Sequence, residues 1–475
     1  MEQKVLWEVD SQKPTAFSEE LYPTKPEERN LRFGHFFSLW MGAVHNIPSY
    51  LTVGGFFAMG LSVFEVLAII LISAIILAGL LILNGHAGYK YGIPYSMLLR
   101  SSFGGKGSLF PGILRGVIAS ILWFGLQTYA GSVAISILIG KIWPSYITLG
   151  GDLSFLGLNM HSWCSFILFW MIHVFFIFGG IQSLGNLTKF IAPLIFIVFG
   201  GMSIWFTQLA GGVDSILRYE AKGVEGNRLF IMLTCISAIL ATWVAPILSV
   251  SDFTRYSRTF KGMFLGQLLG ILTTYILFAI ASISIIIGSE IAFGTPIWNI
   301  LEVIEQFDFL AAIILSLLTV CLSTLSVNIT GNLIPAGNQL SALFPKYLTF
   351  IKAGLLTSIL GCLIMPWKLM ENATSIFVFL NIIGGLLSPV IGVMVADYFL
   401  INKSQLDVAQ IYHGSIKKNA VSIPAIVSIL LAGMLSLAGN YVPSLSPLYS
   451  ISWFTGIITA ILLYISFMKI SFKNH

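Results

Sequence analysis

Two side chains inside one apolar stretch carry the first chemical signal of this sequence. Trp123 and Gln127 lie in SILWFGLQTYAGS (120–132), within an apolar run from about 111 to 140. Spaced i and i+4, they share one face of a helix. Counted at about 1.5 Å per residue, they fall near the middle of that helix and not at its ends. An indole face beside an amide, which donates and accepts at once, suits a flat, uncharged molecule with amide groups. The same two residues also fit plain packing and a glutamine bridging two helices. Other stretches add to the set. His45-Asn46-Ile47-Pro48-Ser49 interrupts an apolar run with polar groups and a proline, and ATWVAPILS places Thr242 and Trp243 just before Pro246. LSTLSVNITGN crowds Ser323, Thr324, Ser326, Asn328, Thr330 and Asn332 into ten residues, with Gly331 allowing close approach. Amides four residues apart in an apolar run need partners on another helix or on a ligand.

The elements that must hold these groups are membrane spans. Of 475 residues 56% are hydrophobic and 9% charged, a composition far from that of soluble domains. The apolar runs predict an all-α polytopic protein with twelve spans near 33–58, 61–84, 111–140, 162–180, 189–210, 229–250, 262–288, 309–340, 351–366, 373–396, 421–440 and 449–469. Residues 1–32 read as a polar tail and 470–475 as a short C-terminal end. Most Lys and Arg fall in the tail and in alternate connections, which predicts both termini in the cytoplasm of a multi-pass cell-membrane protein. The net charge of +5 is spread over short loops and is no nucleic-acid footprint. Cys164, Cys235, Cys321 and Cys362 lack metal-ligand spacing and read as packing residues. No cofactor and no obligate protein partner is indicated, and the partners expected are the bilayer and a small planar substrate.

The breaks at Asn46 and Pro246 lie about 200 residues apart, and the spans after them repeat at nearly that offset. Five spans followed by five more must enter the membrane from opposite sides, so 33–210 and 229–396 are expected to form an inverted repeat, with 421–469 as two additional spans. Paired interrupted helices point to a binding site at the midplane. Acidic residues such as Glu65, Asp252, Glu290 and Asp397 sit at span edges, so a carboxylate relay across the membrane lacks support. A channel is disfavoured because the site offers stacking and amide pairing, and a membrane enzyme because no nucleophile and base are paired.

WMGAVHNIPSYLTVGG (40–55), LNGHAGYKYGIPY (83–95), ILWFGLQTYAGS (121–132), SDFTRY (251–256), SVNITGN (326–332), MPWKLMENATS (365–375) and VADYFL (395–400) together resemble the nucleobase–cation symporter family 1. The resemblance runs from about residue 30 to 470. It is strongest to the branch that carries allantoin and more distant to the branch that carries hydantoins. It implies a LeuT-like fold of two inverted five-helix repeats plus two helices, and a secondary importer of allantoin or a related ureide or nucleobase, driven by a cation gradient. The alternative is a sodium symporter of uracil, cytosine or hydantoin. The resemblance further implies that Trp123 and Trp243 sandwich the ring, that Gln127 and Asn332 pair its amide edge, and that Asn46 and the Thr242 carbonyl face it. The family's sodium site would map to the Gly42 and His45 carbonyls with Ser323 and Ser326. Val327 stands where the hydantoin branch has a hydroxyl, and a valine side chain cannot ligate a hard cation. Sodium at that site is therefore expected to bind weakly, with H⁺ the favoured coupling ion, His45 its first candidate carrier and Lys189 a weaker one.

Overall fold

A computed structural model describes residue 17 and residues 21–370, 373–413 and 420–473, of which 179–190, 192, 373–374, 413 and 471–473 are described in their backbone only. Residues 1–16, 18–20, 371–372, 414–419 and 474–475, and the Lys189 side chain, lie outside the described residues. The principal helices are α1 (Phe33–Val44), α2 (Ile47–Ala58), α3 (Val63–Tyr91), α4 (Ser120–Ile142), α5 (Met160–Leu209), α6 (Arg228–Ser249), α7 (Phe260–Phe293), α8 (Leu310–Asn328), α9 (Phe350–Leu363), α10 (Ala373–Val395), α11 (Ile423–Ala438) and α12 (Ser452–Lys473). Among the described residues, eight helices are long and apolar enough to cross a membrane. A bent pair at 423–450 adds one, and shorter apolar helices underlie the first, fifth and ninth expected spans. The fourth and fifth spans are joined in a single helical element, α5, whose apolar stretches Met160–Phe178 and Pro193–Leu209 occupy its two ends. The final helix reaches Lys473, so the expected C-terminal end is largely a continuation of α12.

The break in the first span falls where the sequence predicts it. α1 stops at Val44, His45 and Asn46 leave the helical region, and α2 restarts with Pro48 in its first turn. Asn46 satisfies both broken ends. Its Nδ2 donates to the Ala43 and Val44 carbonyls at 2.9 and 3.3 Å, and its Oδ1 accepts from the Ser49 N–H and hydroxyl, both at 3.2 Å. An unpaired backbone group in hydrocarbon costs several kcal/mol, so one amide here makes the interruption tolerable.

The sixth span corrects the expectation of a matching break. α6 stays helical through Pro246. The proline has no N–H to give the Thr242 carbonyl, so the helix loses one internal bond without unwinding. Elsewhere the helices loosen into π-type turns at Leu114–Ala119 ahead of α4, at Ile329–Leu333 after α8, just before Pro335, and at Ala396–Ile401 after α10. Nothing in the side-chain periodicity predicts them. The described residues outside the helices include one small hairpin, Ser154–Phe155 paired with Leu158–Asn159, turned by Leu156 and Gly157 at positive φ.

α7 packs against α1, α3 and α5, and α4 against α5, α8 and α9. Gly125 allows α4 and α9 to cross closely, since a side chain there would run into the Gly361 carbonyl. Ahead of α1, Leu31 pairs with the strand-like segment after α6: its N–H donates to the Tyr256 carbonyl at 3.0 Å, and the Arg258 N–H donates to its carbonyl at 2.9 Å.

Three spans are tied by Arg115, which lies in the π turn before α4 and has no exposed surface. Its guanidinium donates to the Ala245 carbonyl (2.9 Å), the Ser249 hydroxyl (2.9 Å), the Gly331 carbonyl (2.7 Å) and the Ser120 hydroxyl (2.8 Å). Removing it strands several enclosed acceptors, each worth about 1–3 kcal/mol. Arg115→Ala is therefore expected to lower stability by roughly 2–5 kcal/mol, and Arg115→Lys, with a single ammonium, by less. Thermal unfolding of purified protein reads this directly, and an unchanged transition in Arg115→Ala would show that the ties are incidental.

Candidate functional site: a cavity between the broken first span and the π turn of the eighth

Where α1, α2, α4, α6 and the Ile329–Leu333 turn converge, they enclose a cavity with about 750 Å³ of free space including its opening. Trp123, Gln127, Trp243, Asn332, Asn46 and Thr242, the six residues expected to meet a substrate, all line it. Residues distant in sequence are thus brought together by the fold, and their arrangement sorts their chemistry.

The aromatic part is rigid. Trp123 is braced edge-to-face by Phe379, with ring centroids 5.0 Å apart, and Trp243 is flanked by Trp40 at 5.7 Å and Tyr275 at 6.2 Å. Both tryptophans are almost fully enclosed. The Trp123 and Trp40 indole N–H groups have no partner among the described residues. Large flat walls held by other rings stack on a planar ligand without first having to be ordered.

The polar groups differ more from one another. Gln127 makes no hydrogen bond to a described residue, and its Oε1 is enclosed without a partner among them, so its amide is one of the polar groups the cavity wall presents. Thr242 turns its hydroxyl back to the Ile239 carbonyl (2.6 Å), while Pro246 leaves its own carbonyl without the helical donor. Asn332 gives one N–H to Asn328 Oδ1 at 2.8 Å. Asn46, though it lines the cavity, spends its amide on capping the helix ends, so it shapes the wall and has little left for a ligand.

The residues expected to hold sodium also meet, but not as an open cage. Ser323 Oγ lies 2.9 Å from the Gly42 carbonyl and 2.8 Å from the His45 carbonyl, sharing its proton between the two acceptors that a cation would use. Ser326 is enclosed nearby, and its carbonyl accepts from Thr330 at 2.8 Å. Val327 faces the cavity with a hydrocarbon side chain. The Gly42 and His45 carbonyls and the Ser323 hydroxyl thus converge, while position 327 adds no side-chain oxygen to them. The His45 ring points elsewhere: it does not line the cavity, packs against Phe199 and Phe278 with ring centroids 4.7 and 5.7 Å away, and has its Nδ1 3.2 Å from the Tyr50 hydroxyl.

Sequence reasoning missed Trp40, Ser249 and Phe253 in the lining, and Arg115 beneath it, and had marked Ser49 and Thr330 only as polar residues within apolar runs. Arg115 had a legible signal, since a cation inside an apolar span is a functional hypothesis by default. Trp40 precedes the broken segment by one and a half turns, and only the bend of the chain brings it against Trp243.

The family described as permease for cytosine/purines, uracil, thiamine and allantoin matches residues 23–456. The chain is 46% identical over 454 residues to a protein of Escherichia coli (strain K12) named "Putative allantoin permease", with 94% of each covered. It is 40% identical over 469 residues to the allantoin permease of Bacillus subtilis (strain 168), covering 98% of this chain and 96% of that one. Among solved structures it resembles Mhp1, a nucleobase-cation-symport-1 family transporter solved closed with bromovinylhydantoin bound, at a TM-score of 0.79 and 22% identity over 97% of this chain and 96% of that one. That likeness establishes the LeuT-like fold. The extent of the family match and the identity to full-length relatives settle the class: the chain belongs to the cytosine/purine, uracil, thiamine and allantoin permease family, and is a multi-pass membrane transporter and not an enzyme.

Proposed function

We propose that this permease imports allantoin, or a closely related ureide, by alternating access coupled to protons. The observation that carries the substrate reading is the cavity itself: two braced indoles and an unpartnered glutamine amide in one enclosed space, in a chain whose full-length relatives are named for allantoin. Trp123 and Trp243 clamp the ring, and Gln127, Asn332 and the Thr242 carbonyl pair its amide edge. Asn46 holds the break open for the ligand. Residues 33–210 and 229–396 act as two inverted repeats, with 421–469 as accessory spans. Both chain ends face the cytoplasm, which the placement of Lys and Arg favours.

The coupling reading rests on Ser323 and Val327. With a hydroxyl already between the Gly42 and His45 carbonyls, and no side-chain oxygen at 327, a sodium ion would have to displace a hydrogen bond and still lack a ligand. A proton gradient is then the drive. The enclosed position of the His45 ring away from the cavity argues against a proton passing directly between it and the substrate.

Two measurements follow. Trp123→Ala or Trp243→Ala should weaken allantoin binding by about 1–3 kcal/mol, the scale of stacking on a ring, with Phe restoring part of it. Isothermal titration on folded variants reads this, and wild-type affinity in Trp123→Ala would remove the clamp. For coupling, uptake into proteoliposomes should survive replacement of sodium by choline and collapse with a protonophore. Loss of uptake on sodium removal, with no protonophore effect, would assign the drive to sodium despite Val327.

A further inference from the structure

Behind the cavity wall, outside the residues that line it, Asn328 connects three elements. Its Nδ2 lies 3.1 Å from the Phe124 carbonyl, 3.1 Å from Thr128 Oγ1 and 3.1 Å from His173 Nε2, and its Oδ1 lies 2.8 Å from Asn332 Nδ2. The side chains of Asn328, Thr128 and His173 have no exposed surface. We propose that Asn328 is a positioning residue for substrate selectivity: it locks the Asn332 amide so that Asn332 Oδ1, an acceptor, meets the ligand, and the site thereby selects a ring N–H at that position. The proposal rests on the reading of the cavity as the substrate site.

The hydrogen-bond directions follow from groups with one possible role. The Phe124 carbonyl can only accept, so the nitrogen of the Asn328 amide must face it. Thr128 commits its own proton to that same carbonyl at 2.7 Å, so its oxygen is left to accept from Asn328. The Phe169 carbonyl, 2.8 Å from His173 Nδ1, likewise only accepts, which places the imidazole proton on Nδ1 and leaves Nε2 as an acceptor for Asn328. Three acceptors therefore surround the Asn328 nitrogen and none tolerates its oxygen. The oxygen is thereby turned to Asn332, which must answer with an N–H. Asn332 keeps its Oδ1 with no partner among the described residues, in a side chain that lines the cavity. Gln127, bound to no described residue, is free to turn its amide either way. One amide is fixed and one adapts, so the fixed one sets the choice between an N–H and a carbonyl, or an N–H and an N–CH₃, at its position.

The test compares allantoin with allantoin methylated at ring nitrogen 1 or 3, binding to wild type, Asn328→Leu and Asn328→Asp in detergent. Wild type should favour allantoin over at least one methyl isomer by about tenfold or more, the scale of one unmade buried hydrogen bond. Asn328→Leu frees the Asn332 amide to turn, so allantoin affinity should fall while the methyl isomer changes little, bringing the ratio to within about threefold. As the neutral acid, Asn328→Asp gives its O–H to the acceptors around it and keeps its carbonyl oxygen toward Asn332 Nδ2, so it should keep the ratio. A purely structural role would weaken both ligands together and leave the ratio unmoved. Retained discrimination in Asn328→Leu, lost discrimination in a folded Asn328→Asp, or none in wild type would each overturn the proposal. If Asn328→Leu does not fold, the wild type and Asn328→Asp comparison decides. Absence of binding of all three ligands to wild type would sink the functional reading instead of the amide lock.

Discussion

A guanidinium enclosed by helices constrains everything around this cavity. A cation taken from water into a span costs at least about 2.5–3.5 kcal/mol even on lenient scales, and is retained only where backbone and side-chain acceptors replace its hydration. Arg115 obtains that replacement from two other spans, through the Ala245 and Gly331 carbonyls and the Ser249 hydroxyl. The Gly331 acceptor belongs to the π turn Ile329–Leu333, which also carries Asn332. Arg115 itself sits in the π turn Leu114–Ala119, just ahead of the helix that carries Trp123 and Gln127. The same irregular backbone therefore satisfies the charge and aims the site. Neither requirement can be altered alone.

The site is assembled from small departures from helical regularity, each closed by a nearby partner. The first span breaks and is capped by Asn46. The sixth keeps its helix but exposes the Thr242 carbonyl through Pro246. The eighth widens by one residue per turn and brings Asn328 and Asn332 into register, one behind the wall and one in it. A bilayer offers no water to repair such departures, so every one must be answered within the protein. This is why so many polar residues of an apolar chain converge on one place.

Much of this was legible in residue types. Trp123 and Gln127 at helical spacing, the polar break at 45–49, and the asparagines near Gly331 are visible without coordinates, and all six expected substrate residues line the cavity. Proline was a poorer guide. At position 48 it marks a true restart of the helix, whereas at 246 the helix continues, because packing on α3 and α10 outweighs one lost hydrogen bond. The π turns have no compositional mark, since they differ from α-helix only in which carbonyl each N–H selects. The Ser323 hydroxyl was assigned to a cation site by resemblance. The two first-span carbonyls that the resemblance set beside it do lie within 3 Å of it, which no spacing within the sequence could have shown.

The pairing of Leu31 with Tyr256 and Arg258 joins the start of the first span to the segment leaving the sixth, main chain to main chain. Backbone bonds of this kind do not depend on which side chains are present, so sequence drift cannot easily uncouple the two ends. In mechanical terms the broken helix and the proline-bearing helix share one handle. The two indole walls they carry, Trp40 and Trp243, also touch, with ring centroids 5.7 Å apart, so the two helices meet at the cavity as well as at its far end.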